Sequence, residues 1–151
     1  MTALATVTID RTSLSLSDLV IDSEGFGTYY IDKAGLGRPG TAWDETFADD
    51  SPWIDGRVRT AAKKQETTLP LTVRVQAASS AALDTAVAAL EAALEQFVYE
   101  VTVTVDGVAK TYRAYVGSTI QSTDGLIDVE RVRGFHEDFA IAIPIYPNAV
   151  A

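Results

Sequence analysis

The residues of this chain that could bind a metal ion are concentrated between positions 44 and 55. This stretch contains five carboxylates: Asp44, Glu45, Asp49, Asp50 and Asp55. Oxygen ligands on a flexible loop suit a calcium ion. The spacing does not follow the ligand positions of an EF-hand loop, and no helical pattern flanks the stretch. We therefore interpret it as a solvated acidic loop and predict no metal site.

The only histidine of the chain, His136, is the main candidate for proton transfer. It stands beside Glu137 and Asp138, but neighbours in a strand point to opposite faces, so Glu137 is poorly placed to orient the imidazole. We interpret it as a surface histidine between two strands. No Gly-x-Ser-x-Gly elbow exists, and Gly35-x-Gly37 lacks the third glycine of a dinucleotide site. With no cysteine for a thiolate site, the sequence predicts no catalytic residue, no cofactor and no enzyme activity.

The charge of the chain argues against binding nucleic acid by neutralising phosphates. The 21 acidic and 12 basic residues among 151 give a formal net charge of −9. No basic run is present, whereas reading or wrapping a duplex requires a positive patch. A negative protein can still line a conduit that repels DNA. The first residues lack the basic start and apolar block of a signal peptide, so we expect folding in a cytosol.

The clearest structural pattern is an amphipathic helix over about 79–97. Its apolar residues recur four, three, four and three positions apart: Leu83, Val87, Leu90, Leu94 and Phe97. This spacing makes one apolar stripe at the helical period, and many alanines raise helix propensity. Ser79 or Ser80 can cap the first turn.

A β-hairpin follows the helix directly. Apolar and polar residues alternate from Tyr99 to Val105, and Asp106-Gly107 is the dipeptide preferred in a type I′ turn. A two-residue turn fixes the pairing. It places Val101 opposite Tyr112 on the core face and Glu100 opposite Arg113 on the other.

Most of the remaining sequence predicts short strands. The predicted segments are 4–10, 14–21, 29–31, 57–76, 127–132 and 139–146. Pro70 removes a ladder donor, so we expect its strand to lie at a sheet edge or the proline to lie at the start of the strand. Phe139, Ile141, Ile143 and Ile145 share one face of the last strand. The sequence therefore predicts a mainly β, α+β fold: one domain over 1–151, an antiparallel β-sandwich or barrel with one helix packed on it.

The segment 33–56 breaks this pattern and is predicted to be a long loop. A loop of this length in a compact domain is commonly functional or is ordered by a partner. It carries both tryptophans, which are costly to leave in water, so we expect it to dock on its own domain or on a neighbouring subunit. The residues predicted to lie at a subunit interface are Trp43, Phe47, Trp53, Ile54, Arg57 and Arg59.

The order of these elements resembles that of a known family. The matching segments are Leu14 to Leu19, the loop ending in Ile54-Asp-Gly-Arg57, the helix leading into Tyr112-Arg-Ala-Tyr115, and the closing strand Phe139 to Pro147. Together they resemble the N-terminal ring-forming domain of siphophage distal tail proteins and related minor tail proteins. The resemblance covers nearly the whole chain.

The resemblance implies a β-sandwich with one helix, related to the tail-tube fold, that assembles as a hexameric ring at the tail tip. It implies that the ring joins the tube to the tip proteins, that DNA passes through its lumen, and that the protein is made in the host cytoplasm and resides in the virion tail. No membrane partner is implied. In many family members a second, C-terminal domain contacts the host, and we expect no such role for this chain.

Three alternatives remain open at this level. The chain could be a major tail tube or tail terminator subunit, which has the same kind of assembly. It could be a small carbohydrate-binding β-sandwich that uses Trp43, Trp53 and the tyrosines as stacking platforms. An enzyme is the third alternative, which the absence of a catalytic motif disfavours.

Overall fold

The computed structural model describes residues 5–24, 27–40, 43–47, 59–123 and 136–147. These residues form ten strands, one α-helix and one turn of 3-10 helix (Thr12–Leu14). The strands are β1 (Ala5–Ile9), β2 (Leu19–Asp22), β3 (Tyr29–Leu36), β4 (Trp43–Phe47), β5 (Arg59–Lys64), β6 (Thr67–Gln76), β7 (Val98–Val105), β8 (Val108–Tyr115), β9 (Thr119–Ser122) and β10 (His136–Ile145), and the helix is α1 (Ser80–Leu94). The mainly β fold with a single helix, predicted from the sequence, is confirmed.

Seven of these strands close into a barrel. Their order is β6-β3-β2-β1-β7-β8-β10, and β10 pairs with β6 over ten residues to complete the circle. Strand β9 pairs with β10 on the edge that β10 also shares with β8, opposite β6, whereas β4 and β5 pair as a separate two-stranded sheet. Most pairs are antiparallel, while β2 and β3 run parallel and meet only at Asp22 and Tyr30.

The interior of the barrel is filled by alternate residues of its strands. Val73 of β6 and Val101 of β7 are fully buried, as the alternation predicts. On β10 the predicted face is confirmed, because its four members are all buried: Phe139, Ile141, Ile143 and Ile145. Leu83, Leu90 and Leu94 of α1 join the same core. In the described residues no helix is both long and apolar enough to cross a membrane.

The β7–β8 hairpin has the predicted register. Val101 lies opposite Tyr112, and Glu100 lies opposite Arg113. The turn residues Asp106 and Gly107 both have positive φ angles, 49° and 81°, as a type I′ turn requires. Glycine adopts this conformation without steric cost, which explains its place after Asp106.

Helix α1 begins where the sequence predicts but ends earlier. The Ser79 hydroxyl accepts a hydrogen bond from the Ala82 amide at 3.1 Å and so caps the first turn. The Tyr29 hydroxyl donates to the Ala86 carbonyl at 2.7 Å, which ties the helix to β3. The helix ends at Leu94, and Phe97, predicted as the last member of the apolar stripe, is 81% exposed. That prediction is wrong because the chain leaves the helical period before Phe97 and turns into β7.

Pro70 does not lie at a sheet edge, because β6 has β3 on one side and β10 on the other. The Pro70 carbonyl accepts a hydrogen bond from the Gly37 amide at 3.2 Å, so its missing donor also faces β3. The pairing of β3 with β6 is irregular there, since the register shifts between Ile31 and Leu36. A Cβ at position 37 would lie 2.6 Å from Pro70 Cγ, which explains the glycine. The proline is therefore tolerated at an irregularity of the neighbouring strand, not at an edge.

Burial of Tyr99 makes stability sensitive to alkaline pH. The side chain is 3% exposed, and burial raises the pKa of its phenol above the usual value of 10.0, against a smaller opposing effect of the Ser118 hydroxyl. Above about pH 10 the unfolded chain releases this proton while the folded protein retains it, so the free energy of unfolding falls as pH rises. Urea unfolding between pH 8 and 11 should show this decline, and Tyr99→Phe should make it shallower. An identical slope in the variant would contradict the assignment.

Candidate assembly surface

The β4–β5 sheet contains three of the six residues predicted to lie at an interface. Trp43 begins β4, Phe47 ends it, and Arg59 begins β5 opposite Phe47. Within the described residues, this sheet pairs with no other strand. The other three predicted residues lie outside the described residues: Trp53, Ile54 and Arg57.

The prediction of an irregular loop over 33–56 is wrong in part. Strand β3 continues to Leu36, and β4 occupies Trp43–Phe47. The irregular pairing of β3 with β6 explains why alternation is hard to see in the sequence there. The partner of β4 is β5, which follows later in the chain, so local pattern could not reveal the pairing. The acidic residues Asp49, Asp50 and Asp55 lie outside the described residues.

Trp43 is the most prominent side chain of the β4–β5 sheet that the structure describes. It is 53% exposed, and the Lys64 ammonium lies 5.9 Å from the centroid of its ring. The two residues are directly opposite each other across the sheet. A cation over an indole face contributes modestly at an exposed site, and the rest of the ring still contacts water. The indole is therefore available to a partner surface.

A shallow groove lies beside this sheet. Its volume is about 510 Å³, and its lining comprises Lys63, Lys64, Gln65, Glu66, Tyr146 and Pro147. The Tyr115 hydroxyl donates to Glu66 Oε2 at 3.1 Å, and the Tyr115 and Tyr146 rings are tilted by 54° with centroids 5.5 Å apart. Partial burial and, secondarily, the Glu66 carboxylate raise the pKa of Tyr115. Tyr146 thus forms an aromatic wall of the groove, and Lys63 and Lys64 line it from β5.

Exposed apolar side chains continue from this aromatic wall. Val98 lies opposite Tyr115 on the outer face of β7 and β8, and the Val116 amide donates to the Phe97 carbonyl at 3.1 Å. Phe97, Val98, Val116 and Tyr146 are each more than two-fifths exposed. Successive residues of a strand face opposite sides, so Val98 and Tyr115 share the outer face while Phe97 and Val116 face the other way. The sequence reasoning missed the exposure of Phe97 because it assigned this residue to the core.

An ionic cluster across three strands was also missed. Tyr30 of β3, Arg74 of β6 and Asp138 of β10 lie in register on the outer face of the barrel. The Arg74 guanidinium donates to both Asp138 oxygens, at 2.5 and 2.8 Å, and its third nitrogen lies 3.4 Å from the Tyr30 hydroxyl. The hydrogen bonds to Asp138 raise the pKa of Arg74 further above its usual value, so it stays charged. These side-chain contacts connect β3, β6 and β10. Since the charged groups of the cluster are occupied by one another, the cluster offers no base or nucleophile for catalysis.

His136 is the first residue of β10 and is half-buried, so it does not lie between two strands as predicted. Glu137 is 6% exposed and accepts a hydrogen bond from the Ser122 hydroxyl at 3.2 Å. Adjacent strand residues face opposite sides, which separates this carboxylate from the imidazole. Within the described part of the chain, no three His, Asp or Glu side chains are grouped to hold a metal ion.

Comparisons with known proteins identify the fold. Neither a protein-family model nor a curated protein matches this chain. Among solved structures, it is similar to a chain in the structure of the phage P2 baseplate in its activated conformation with Ca, at a TM-score of 0.62 and 11% sequence identity. The match covers 99% of this chain and 46% of that one, so this chain spans about half the length of its structural neighbour. At this identity the likeness establishes a shared fold.

Proposed function

We propose that this protein is a structural component of a phage tail that assembles into a ring, with six copies expected, at the distal end of the tail. The observation that carries the proposal is the match of 99% of the chain to part of a phage baseplate chain. In this proposal the ring joins the tail tube to the tip proteins and lets DNA pass through its lumen. The protein is made in the host cytoplasm and resides in the virion.

The β4–β5 sheet supports assembly between subunits. Within the described residues it pairs with no strand of the barrel, and it presents a tryptophan that is 53% exposed. Tryptophan is enriched among the residues that dominate binding energy at protein interfaces. The predicted interface residues Trp43, Phe47 and Arg59 all belong to this sheet. The sheet is therefore our candidate for the contact with the neighbouring subunit of the ring.

The charge of the chain supports a lumen that does not retain DNA. Each copy carries a formal net charge of −9, and this charge multiplies around a ring. A wall of the same sign as the phosphate backbone repels the duplex, and repulsion favours passage over binding. The major tube or terminator subunit remains the alternative within this class. Counting copies per virion distinguishes them, because a tube contains many rings and a distal ring one.

Replacing Trp43 by alanine tests the proposed contact. Because the indole is largely exposed, the variant should fold normally, while the association constant of the ring should fall about tenfold or more. Sedimentation velocity of wild type and variant at matched concentrations measures this loss. Val20→Ala, at an exposed position of β2, is the control and should assemble as the wild type does. Unchanged assembly of Trp43→Ala would contradict the contact.

The same variant separates the ring from the carbohydrate-binding alternative, which draws on the exposure of Trp43. A stacking platform for sugars predicts that wild type binds a glycan array and that Trp43→Ala loses this binding without changing its mass in solution. The ring predicts that the wild type does not bind the glycan array and that Trp43→Ala lowers the mass in solution.

A further inference from the structure

Strand β8 has an unpaired edge at the end nearest its turn. On one side β7 pairs with all eight of its residues, whereas on the other side β10 pairs only at Ala114. Beside that pair, the Tyr146 amide donates to the Arg113 carbonyl at 3.0 Å, and the chain then bends at Pro147. Within the described residues, the segment 108–112 therefore has no partner strand on the side of β10. We call this segment the β8 edge.

The β8 edge offers backbone groups for an added strand. Residues of an antiparallel strand direct their amide and carbonyl groups alternately to its two sides. Since the Arg113 carbonyl faces β10, the backbone groups of Thr111 and Ala109 face the same side. Val108, Ala109 and Lys110 are exposed, Val108 by 65%. An exposed edge with free amide and carbonyl groups is a template for pairing with another chain.

The β8 edge and strand β4 are of opposite charge. Strand β8 carries two basic residues and no carboxylate, whereas β4 carries two carboxylates and no basic residue. Lys110 lies opposite Val103, and it forms no ion pair within the described part of the chain. Glu45 lies opposite Ala62. Neither of these two charged residues therefore faces an opposite charge across its own sheet. Strand β5, with three basic residues, would be repelled by the β8 edge.

We propose that β4 of one copy of this chain adds antiparallel to the β8 edge of the next copy, with Glu45 opposite Lys110. A two-stranded sheet alone is marginally stable in water, so β4 and β5 would be stabilised by a third strand. Antiparallel pairing is slightly more stable per residue than parallel pairing. The added strand would take the place along β8 that β10 leaves open.

The neighbouring residues fit the same register. Trp43 lies opposite Tyr112 of the next copy, which makes an aromatic pair. Phe47 lies opposite Val108, which makes a pair of an aromatic and a β-branched residue. Both kinds of cross-strand pair are favourable, as is a pair of opposite charges. One face of the joined sheet thus carries an ion pair between two apolar pairs.

This contact rests on the proposed ring and specifies how its subunits meet. It joins two different surfaces, β4 of one copy and β8 of the next, so it is a head-to-tail contact. Head-to-tail contacts generate a ring where the rotation between copies closes. A two-fold dimer, by contrast, would require one surface to meet itself.

Disulfide cross-linking tests the register directly, because the chain contains no cysteine. Glu45→Cys and Lys110→Cys, prepared as separate proteins and mixed under mild oxidation, should give a covalent dimer of about 32 kDa on a non-reducing gel. Neither protein should cross-link alone. Thr46→Cys mixed with Lys110→Cys is the matched control. Since successive strand residues face opposite sides, this pair should cross-link about tenfold less.

Exchanging the two charges tests the contact without cysteine. Glu45→Lys and Lys110→Glu, each alone, should raise the dissociation constant between subunits about tenfold, because like charges then meet at every contact. The double variant carries the same ion pair with its charges exchanged and should associate as the wild type does. Sedimentation velocity measures all four proteins. Thermal unfolding of Lys110→Glu should match the wild type, because this side chain is exposed.

The outcomes separate this contact from the proposed function. The contact is overturned if rings form whose cysteine mixtures do not cross-link above the control, or if the double variant associates as weakly as the single ones. Rings of that kind would leave the proposed function intact. A wild-type protein that stays monomeric at about 1 mM, where even weak contacts populate, and that is absent from virions would overturn both.

Discussion

Replacing Leu90 by alanine is expected to lower the free energy of unfolding by about 3 kcal/mol, within the range found for buried leucines. Leu90 is fully buried in α1, where it packs with Leu83 and Leu94 into the barrel core. The substitution removes apolar burial and leaves a cavity that tight packing can only partly close. Urea unfolding followed by circular dichroism measures the loss.

Leu16→Ala is the matched control, because it makes the same chemical change at a side chain that is 54% exposed. We expect it to alter stability by less than about 0.5 kcal/mol, as is usual for surface positions. Equal effects of the two substitutions would show that α1 is not packed on the barrel as described.

The second large loss of stability is expected when the Asp138 carboxylate is removed. Asp138→Ala should cost about 2 kcal/mol, because it leaves the Arg74 guanidinium without the two hydrogen bonds that it donates to this carboxylate. The Arg74 side chain is 31% exposed, so water partly replaces the lost partner and the cost stays below that of a fully buried pair. Chemical unfolding at pH 7 measures it.

The paired replacement Arg74→Met with Asp138→Leu shows whether the cost comes from the orphaned charge. Apolar side chains of similar size avoid an unpaired guanidinium, so the double variant should be more stable than Asp138→Ala alone. A double variant that is less stable than Asp138→Ala would show that the unpaired guanidinium is not the source of the cost.

The sequence pattern predicts correctly those parts of the fold that depend on residues close together in the chain. The type I′ turn at Asp106 and Gly107 sets the register of its hairpin, and alternation along β10 identifies the buried face. The Ser79 cap is likewise local, because the hydroxyl and the Ala82 amide belong to the same first turn. In these cases the residues that determine the structure are neighbours in the sequence.

The features that were missed depend on distant parts of the chain. Pro70 is interior because the irregularity that accommodates it belongs to β3, some thirty residues earlier. Asp138 was considered only beside His136, whereas its partner is Arg74 across β6 and β10. Phe97 fits the helical spacing of α1 but follows the residue where the helix ends.

The assembly state of the purified protein tests the central claim most directly. Native mass spectrometry combined with negative-stain electron microscopy should show closed rings, and a ring of six 16.2 kDa copies has a mass of about 97 kDa. Particles of 16.2 kDa alone at the highest concentration attainable, with no copies of the protein in purified virions, would contradict the account.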